Sequence, residues 1–532
     1  MLKTLWALLG LGLLAYRPGQ AAPALAPAAA GAAAASPAWY GEQEVFYLIF
    51  VRSFADSDGD RIGDFKGIEQ RLPYLQSLGV TSILLTPVVP SRFYHNYFAS
   101  RFDGVDAAYG DRRSFRHLVR AVHARHMRIV LDEEIQYVAE EHPWWLQSAG
   151  HPESPYSPYI LYNGPGNTQP ESGFLDSLSV STYDGQTVRL AMVNLAAPVV
   201  RQYFDALFIW WLRQGVDGFR IDHMMDDLDN KGRLTNLVAG FWAPLFAHAR
   251  AFKPGIAIIA EQADWKYGDD LLVRGDVDLV YAFPLRDAIA SLDRNTVAAA
   301  ISSTQAKTPA GKGQLIFIEN HDTNRFASAV GGDPAKERLG AALGVLLKGT
   351  PLIYYGQELG MKGRRIREGL SDGNDIPDRE AFRWTPAVTG PGSATWYNGA
   401  ASWWTDRYAR DDDGISLQEE RRDPVSLLSF YRRVLALRHS RVELRRGDQQ
   451  IVATDQPSVL AVRRARGRCE SLLLVNFSAQ AVEARLPADA FRFVHEGGVL
   501  RDLLSGTGRA ELVGGSESVS MAPFGVRLLA KR

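Results

Sequence analysis

Three acids, each at the end of a short apolar run, carry the clearest chemical meaning in this chain. Asp222 closes GVDGFRID (Gly215–Asp222), Glu261 sits near the end of IAIIAEQ, and Asp322 closes FIENHD. Arg220 and Asp222 are two residues apart, so on a strand they point to the same side, where the cation would hold the carboxylate ionised. Two carboxylates are enough to break a glycosidic bond: one attacks the anomeric carbon while the other protonates the leaving oxygen. A third negative charge can stabilise an oxocarbenium-like transition state. Any one of these acids alone could be structural. Three on separate strands, one beside Arg220 and one beside His321, are hard to explain as core.

A second acidic pattern lies nearer the N-terminus. Asp56, Asp58, Asp60 and Asp64 alternate along a loop with Gly59 and Gly63 between them. Charges this close repel, and a hard divalent cation relieves the repulsion. Calcium takes roughly six to eight oxygen ligands. The spacing D-x-D-x-D-x-I-x-D offers four side chains and leaves the Ile62 carbonyl as a fifth donor. The expectation is one structural calcium ion per chain, bracing a loop and taking no part in bond cleavage.

These groups need a scaffold that gathers strand ends. Compact apolar runs fall at Val45–Phe50, Val80–Leu85, Met127–Leu131, Val216–Ile221, Ile256–Ala260, Val277–Phe283, Leu315–Ile318 and Leu352–Tyr355. Helical patterns such as Ser114–His126 and Val200–Gln214 lie between most of them. Eight strands alternating with helices predict an α/β fold, a (β/α)8 TIM barrel, whose functional groups collect at the C-terminal ends of the strands. An open doubly wound sheet is the alternative, but no Gly-rich dinucleotide fingerprint follows any strand.

Two stretches interrupt the alternation. Residues 137–194, rich in Pro, Gly and Ser, read as a loop-rich inserted domain after the third strand, and Gly356–Glu420 is a second irregular stretch. Asp423, followed by Pro424, reads as the cap of a helix with Leu427, Leu428, Tyr431, Val434 and Leu435 on one face. Beyond about Arg445, short strands separated by turns predict a C-terminal antiparallel β-sandwich. The division expected is a leader over 1–36, the barrel over 37–136 and 195–444, the insertion over 137–194 and the β domain over 445–532.

Length and composition fit this reading. The 532 residues are 46% hydrophobic and 22% charged, with a formal net charge of −1, so there is no basic surplus for nucleic acid. Cys469 is the single cysteine, which rules out an intrachain disulfide. Lys3, the apolar run Leu5–Ala15 and the Ala/Pro tract that follows describe an export signal, too short to span a bilayer comfortably. A periplasmic or secreted protein, free of the membrane after signal cleavage, is expected.

The motifs together resemble the α-amylase family of retaining glycoside hydrolases, over most of the chain from about Tyr47. The resemblance rests on GFRID at Gly218–Asp222, Glu261 after its strand, ENHDTNR at Glu319–Arg325, FVRSFADSDGDRIGDFKGI at Phe50–Ile68 and GTPLIYYGQELG at Gly349–Gly360. It implies that Asp222 is the nucleophile, Glu261 the general acid and then base, and Asp322 the sugar-binding stabiliser. It further implies that Arg220 keeps Asp222 ionised, Asp132 braces Arg220, His321 bonds sugar hydroxyls and Tyr97 stacks on the sugar ring. The acidic loop matches a calcium loop of the family.

The chain also departs from the family pattern. Where an Asn-His pair usually follows the third strand, LDEEIQYV places Gln136 and Tyr137. Met192 stands where an Asp is usual in the inserted domain, so a second calcium site of the family is expected to be empty. His223-Met224-Met225-Asp226 lacks the Lys or His many amylases use at a leaving-group subsite. Phe98 replaces an Asp that closes the pocket of many α-glucosidases, which implies internal cleavage of α-1,4-linked glucans or maltooligosaccharides. An exo-acting α-glucosidase, a transglycosylase and a non-catalytic glucan-binding homologue are the alternatives.

Overall fold

The protein, seen as a computed structural model, is described over residues 43–172, 179–366, 371–399, 408–486, 500–504, 512–513 and 518–531. The expected leader lies outside these residues. Among them, no helix is long and apolar enough to cross a membrane.

The eight apolar runs form the expected closed parallel barrel: β1 (Phe46–Ile49), β2 (Ser82–Leu85), β3 (Arg128–Glu133), β4 (Gly218–Met224), β5 (Ala257–Gln262), β6 (Leu279–Tyr281), β7 (Gly313–Ile316) and β8 (Thr350–Tyr354). Each strand pairs with its neighbours in sequence, and β8 closes onto β1. The runs are apolar throughout because both faces are covered: every residue of β1, β2 and β8 is buried. The run at Val277–Phe283 gives a much shorter strand than its apolar texture predicts. β6 stops at Tyr281, and Phe283 opens the next helix.

Helices fill the connections. Arg112–His123 starts two residues before the expected Ser114 and ends three before His126; Asp111 sets the start through a capping box with Ser114. Its buried face is Phe115, Leu118, Val119 and Val122, the i, i+3, i+4, i+7 spacing of a helix laid on a barrel. The helix expected after Asp423 begins later, at Leu427. Ser426 is its cap, accepting the Ser429 N–H, while the Asp423 carboxylate instead closes a turn onto the Val425 N–H.

Between β3 and β4 the chain builds a small three-stranded sheet from Tyr137–Ala139, Ser179–Ser181 and Thr187–Met192. The C-terminal part forms a six-stranded antiparallel sheet and a two-stranded one. Short strands at Leu500–Asp502, Leu512–Val513 and Ser518–Met521 add to those expected there. Leu460, Val462, Leu473 and Leu528 pack into the barrel's own core, whereas Val459, Leu472, Leu474 and Leu529 belong to a second core with Ala484 and Val519. Two buried arginines lie where the halves meet, and one of them, Arg464, joins them. Arg438 donates to the carbonyls of Val345 (2.8 Å), Leu444 (3.1 Å) and Gly349 (2.6 Å). Arg464, from the C-terminal sheet, donates to Leu346 (2.8 Å) and Gly447 (3.1 Å).

Candidate active site

The barrel brings the three sequence-identified acids to one cleft of about 420 Å3, lined among others by Tyr97, Asp222, Glu261, His321 and Asp322. That volume suits an oligosaccharide segment. Close strand packing sets the distances. At Gly218, a Cβ would stand 2.4 Å from the Ala257 carbonyl oxygen, so β4 and β5 approach as no other residue would permit. At its C-terminal end β4 then bulges. The register runs from Ile221↔Ala260 to Met224↔Gln262, and His223 takes a left-handed φ of 46°. Bulges re-aim side chains at barrel rims. This one carries Asp222 and points the His223 N–H at Glu261 Oε2, 3.2 Å away.

Arg220 is the electrostatic centre. It is fully buried, with Nη1 2.6 Å from Asp132 and 2.5 Å from Asp222. Its Nη2 lies 2.9 Å from Glu261, as an ion pair without the alignment of a hydrogen bond. Asp132 and Arg220 face each other directly across β3 and β4, which places the brace the resemblance implies. Tyr97 donates its hydroxyl to Asp132 (2.7 Å), lies 2.6 Å from His321 Nε2, and stacks on the His321 ring with centroids 5.4 Å apart. His321 Nε2 is 3.1 Å from Asp322, whose other oxygen receives Arg379 Nη2 at 2.9 Å.

These contacts separate the acids. Burial is the largest single influence and would raise Asp222, but the Arg220 guanidinium and a hydrogen bond with Glu134, acting together, hold the carboxyl below its usual range. Burial pushes Glu261 well above the usual range despite Arg220, with the charges of Asp222 and Asp322 adding to the rise. Burial and the nearby Arg379 and Arg220 keep His321 well below its ordinary value, hence neutral. One ionised carboxylate beside one protonated carboxyl is the pairing that acid-assisted displacement needs.

The departures take definite positions too. Tyr137 gives its hydroxyl to Asp229 (2.7 and 2.8 Å to its two oxygens), which His223 also approaches at 3.2 Å. Gln136 donates to the main-chain oxygen of Asp222 at 3.2 Å and to Glu134 at 3.0 Å. Phe98 lines the cleft within an aromatic cluster with Phe93 and His95.

Sequence reasoning missed several lining groups. Arg379 and Arg365 come from the irregular stretch after β8, where no periodicity marks them; Arg365 donates to the Asp322 carbonyl at 2.9 Å. Trp265, four residues past Glu261, stacks on Phe283 at 4.6 Å with ring planes 3° apart, is 37% exposed and lines the cleft. Glu134 lies inside LDEEIQYV, and three successive acids at a barrel strand's end were the available signal.

In the acidic loop, oxygens of Asp56, Asp58 and Asp64 lie within 4.8 Å of one another. Asp60, expected as a fourth side-chain ligand, stands outside this group, because its carboxylate turns back to accept the Ile62 N–H at 2.7 Å. Asp64 also caps the helix Phe65–Leu78 through the Gly67 N–H. Three converging carboxylates are a hard-oxygen donor set that fits calcium.

A closed parallel barrel with carboxylates at its strand ends, one held ionised beside arginine and one kept protonated by burial, has the acid pairing of a glycoside hydrolase. The chain belongs to the α-amylase family: the family model "Alpha amylase, catalytic domain" matches residues 48–235 and 281–447. It is 29% identical over 435 residues to "Alpha-amylase 3" of Dictyoglomus thermophilum, covering 80% of this chain and 82% of that protein. It is 29% identical over 407 residues to a "4-alpha-glucanotransferase" of Thermotoga maritima, covering 72% and 84%. The crystal structure of an α-amylase from H. orenii superposes with a TM-score of 0.75 at 25% identity, covering 92% of this chain and 99% of that one.

Proposed function

We propose that the protein hydrolyses α-1,4-glucosidic bonds within starch or maltooligosaccharides, with retention at the anomeric carbon. The observation that carries this reading is the single buried Arg220 guanidinium shared by an ionised Asp222 and a protonated Glu261. Asp222 attacks the anomeric carbon as Glu261 gives its proton to the leaving glycosidic oxygen, forming a covalent glycosyl-enzyme. Glu261, now ionised, takes a proton from water, which attacks the same carbon and frees Asp222. Asp322, oriented by Arg379 and His321, bonds the sugar and balances charge at the anomeric centre. Phe98, unable to accept hydrogen bonds from terminal hydroxyls, supports cleavage within chains.

Release of single glucose units is a second reading. It is favoured by Asp372, which lines the cleft with no side-chain donor hydrogen-bonded to its carboxylate among the described residues. Digestion of soluble starch followed by chromatography separates the two readings. Maltooligosaccharides with an early fall in chain length support internal cleavage; glucose alone with a slow fall supports the second reading. Products with newly formed linkages would replace hydrolysis by transfer.

For the acidic loop we propose one calcium ion held by Asp56, Asp58 and Asp64. Bound there, the ion would supply positive charge that offsets the crowded carboxylates. The loop's own N–H groups already begin this: Asp56 Oδ1 accepts from Asp58 (3.0 Å) and Gly59 (2.7 Å), and Asp64 Oδ2 from Ser57 (2.8 Å).

A further inference from the structure

We propose that Glu134 is a positioning residue for the nucleophile: its carboxyl holds a proton, donates it in a hydrogen bond to Asp222, and thereby sets the acid limit of turnover. The inference rests on the reading of Asp222 as the nucleophile.

Glu134 follows β3 directly, is 3% exposed, and lines the same cleft as Asp222. Its Oε1 accepts two main-chain N–H groups, from Gln136 and from Tyr137 (3.2 Å). Its Oε2 accepts from Gln136 Nε2 at 3.0 Å, and that same nitrogen donates to the Asp222 carbonyl at 3.2 Å. The side chain is therefore fixed on both oxygens and tied to the nucleophile's backbone. Its carboxyl also meets the Asp222 carboxyl in a hydrogen bond.

Two carboxyl groups in contact share at most one negative charge at neutral pH. Arg220 stands on Asp222, and among the described residues no lysine or arginine forms an ion pair with Glu134. Burial, then the charge of Asp222, pushes Glu134 well above the usual carboxyl range. The proton therefore stays on Glu134. Oε1 is saturated as an acceptor, which leaves Oε2 to carry it.

The other ionisable groups around this pair do not change the assignment. Asp132 on β3 is engaged by Arg220 and Tyr97. Glu261 on β5 meets Arg220 and is itself protonated. Asp322 and His321 after β7 are engaged with Arg379 and Tyr97. Tyr137 and His223 both turn to Asp229.

The mechanical consequence follows from hydrogen-bond chemistry. A neutral donor on a carboxylate draws charge from it, lowers its proton affinity and holds its orientation. The same contact stabilises Asp222 as it departs from the glycosyl-enzyme. Valine at position 134 would keep the packing and lose the donor; glutamine would keep a donor and lose the titrating proton.

The test uses the full-length protein and 4-nitrophenyl α-maltoside, with kcat/KM measured against pH. Glu134→Val should move the acid limb upward by about one to two pH units, the worth of a hydrogen bond to a charged group. Glu134→Gln should leave that limb near its original place. Infrared difference spectra of unmodified protein minus Glu134→Gln at neutral pH should show the carbonyl stretch of a protonated carboxyl. Unmoved limbs in both variants, equal shifts in both, or no such band would each overturn the proposal. If Glu134→Val does not fold, the infrared difference decides alone. If unmodified protein releases no 4-nitrophenol, the hydrolase reading fails, and the infrared band still tests where the proton sits.

Discussion

Replacing Arg220 with leucine removes the one cation that touches three acids, and its effect on Asp222 can be worked from the geometry. Arg220 Nη1 is 2.5 Å from Asp222 Oδ1, in a fully buried setting. Charge centres about 4 Å apart at an effective dielectric near 20 attract by about 4 kcal/mol, or about three pH units of carboxylate ionisation. The Asp222 side chain is 19% exposed, so solvent screening at that edge reduces the expectation to roughly two units. The proposed mechanism needs Asp222 ionised, so activity is expected above the Asp222 pKa and is lost as pH falls through it. In Arg220→Leu the acid limb of kcat/KM should therefore move to higher pH by that amount. Asp132 and Glu261 lose the same partner, and unfolding free energy should drop by about 3–5 kcal/mol, the cost of leaving buried charge unpaired. Arg220→Lys restores one charge without the planar fork, and should recover most of the limb's position but not kcat. The assay is the pH profile of 4-nitrophenyl α-maltoside hydrolysis, with circular dichroism confirming the fold. A folded Arg220→Leu enzyme whose acid limb has not moved would refute the reasoning.

Three further outcomes are expected. Asp222→Asn should abolish nearly all turnover while keeping the folded circular dichroism spectrum, and NMR of the first product of the unmodified protein should show the α-anomer; a β-anomer would reject the covalent route. Glu261 has a folded pKa raised above its ordinary 4.5, so its stabilising contribution is complete below that value and is lost as pH rises through the folded pKa. Thermal melts of Glu261→Gln should accordingly gain on the unmodified protein as pH rises, and a constant difference would count against burial as the cause. Dialysed protein should retain one calcium equivalent, and chelation should lower the melting temperature more than the initial rate; none or two equivalents would defeat the assignment to Asp56, Asp58 and Asp64.

The barrel was legible because its strands are covered on both faces, which leaves nearly unbroken apolar runs in the sequence. The convergence of Asp222, Glu261 and Asp322 on one cleft was legible because each acid ends such a run. Asp132 and Arg220 were readable as partners only through the family resemblance, since their contact joins strands 88 residues apart in the chain. Arg379 and Arg365 were not legible: they reach Asp322 from an irregular stretch whose path depends on tertiary contacts, such as the bond from Arg379 to the Tyr94 hydroxyl. Helix starts were offset where two polar residues competed to cap, as Ser426 did with Asp423. Asp60 shows a related limit: spacing places an acid on a loop, but the local turn decides which way the carboxylate faces.

The C-terminal sheet carries a further consequence through Arg464. Its guanidinium reaches out of that sheet to the carbonyl of Leu346, at the end of the helix Pro334–Leu346, and Arg438 takes the neighbouring carbonyls of Val345 and Gly349 just before β8. The two cations terminate a helix whose last carbonyls would otherwise face apolar side chains without donors. The sheet also lends Leu460, Val462, Leu473 and Leu528 to the barrel's core. Catalytic and C-terminal parts are thus not interchangeable modules in the engineering sense. A graft of another β domain onto this barrel must bring its own arginine at the position of Arg464, and a barrel cut free at residue 447 would expose the floor on which β8 begins.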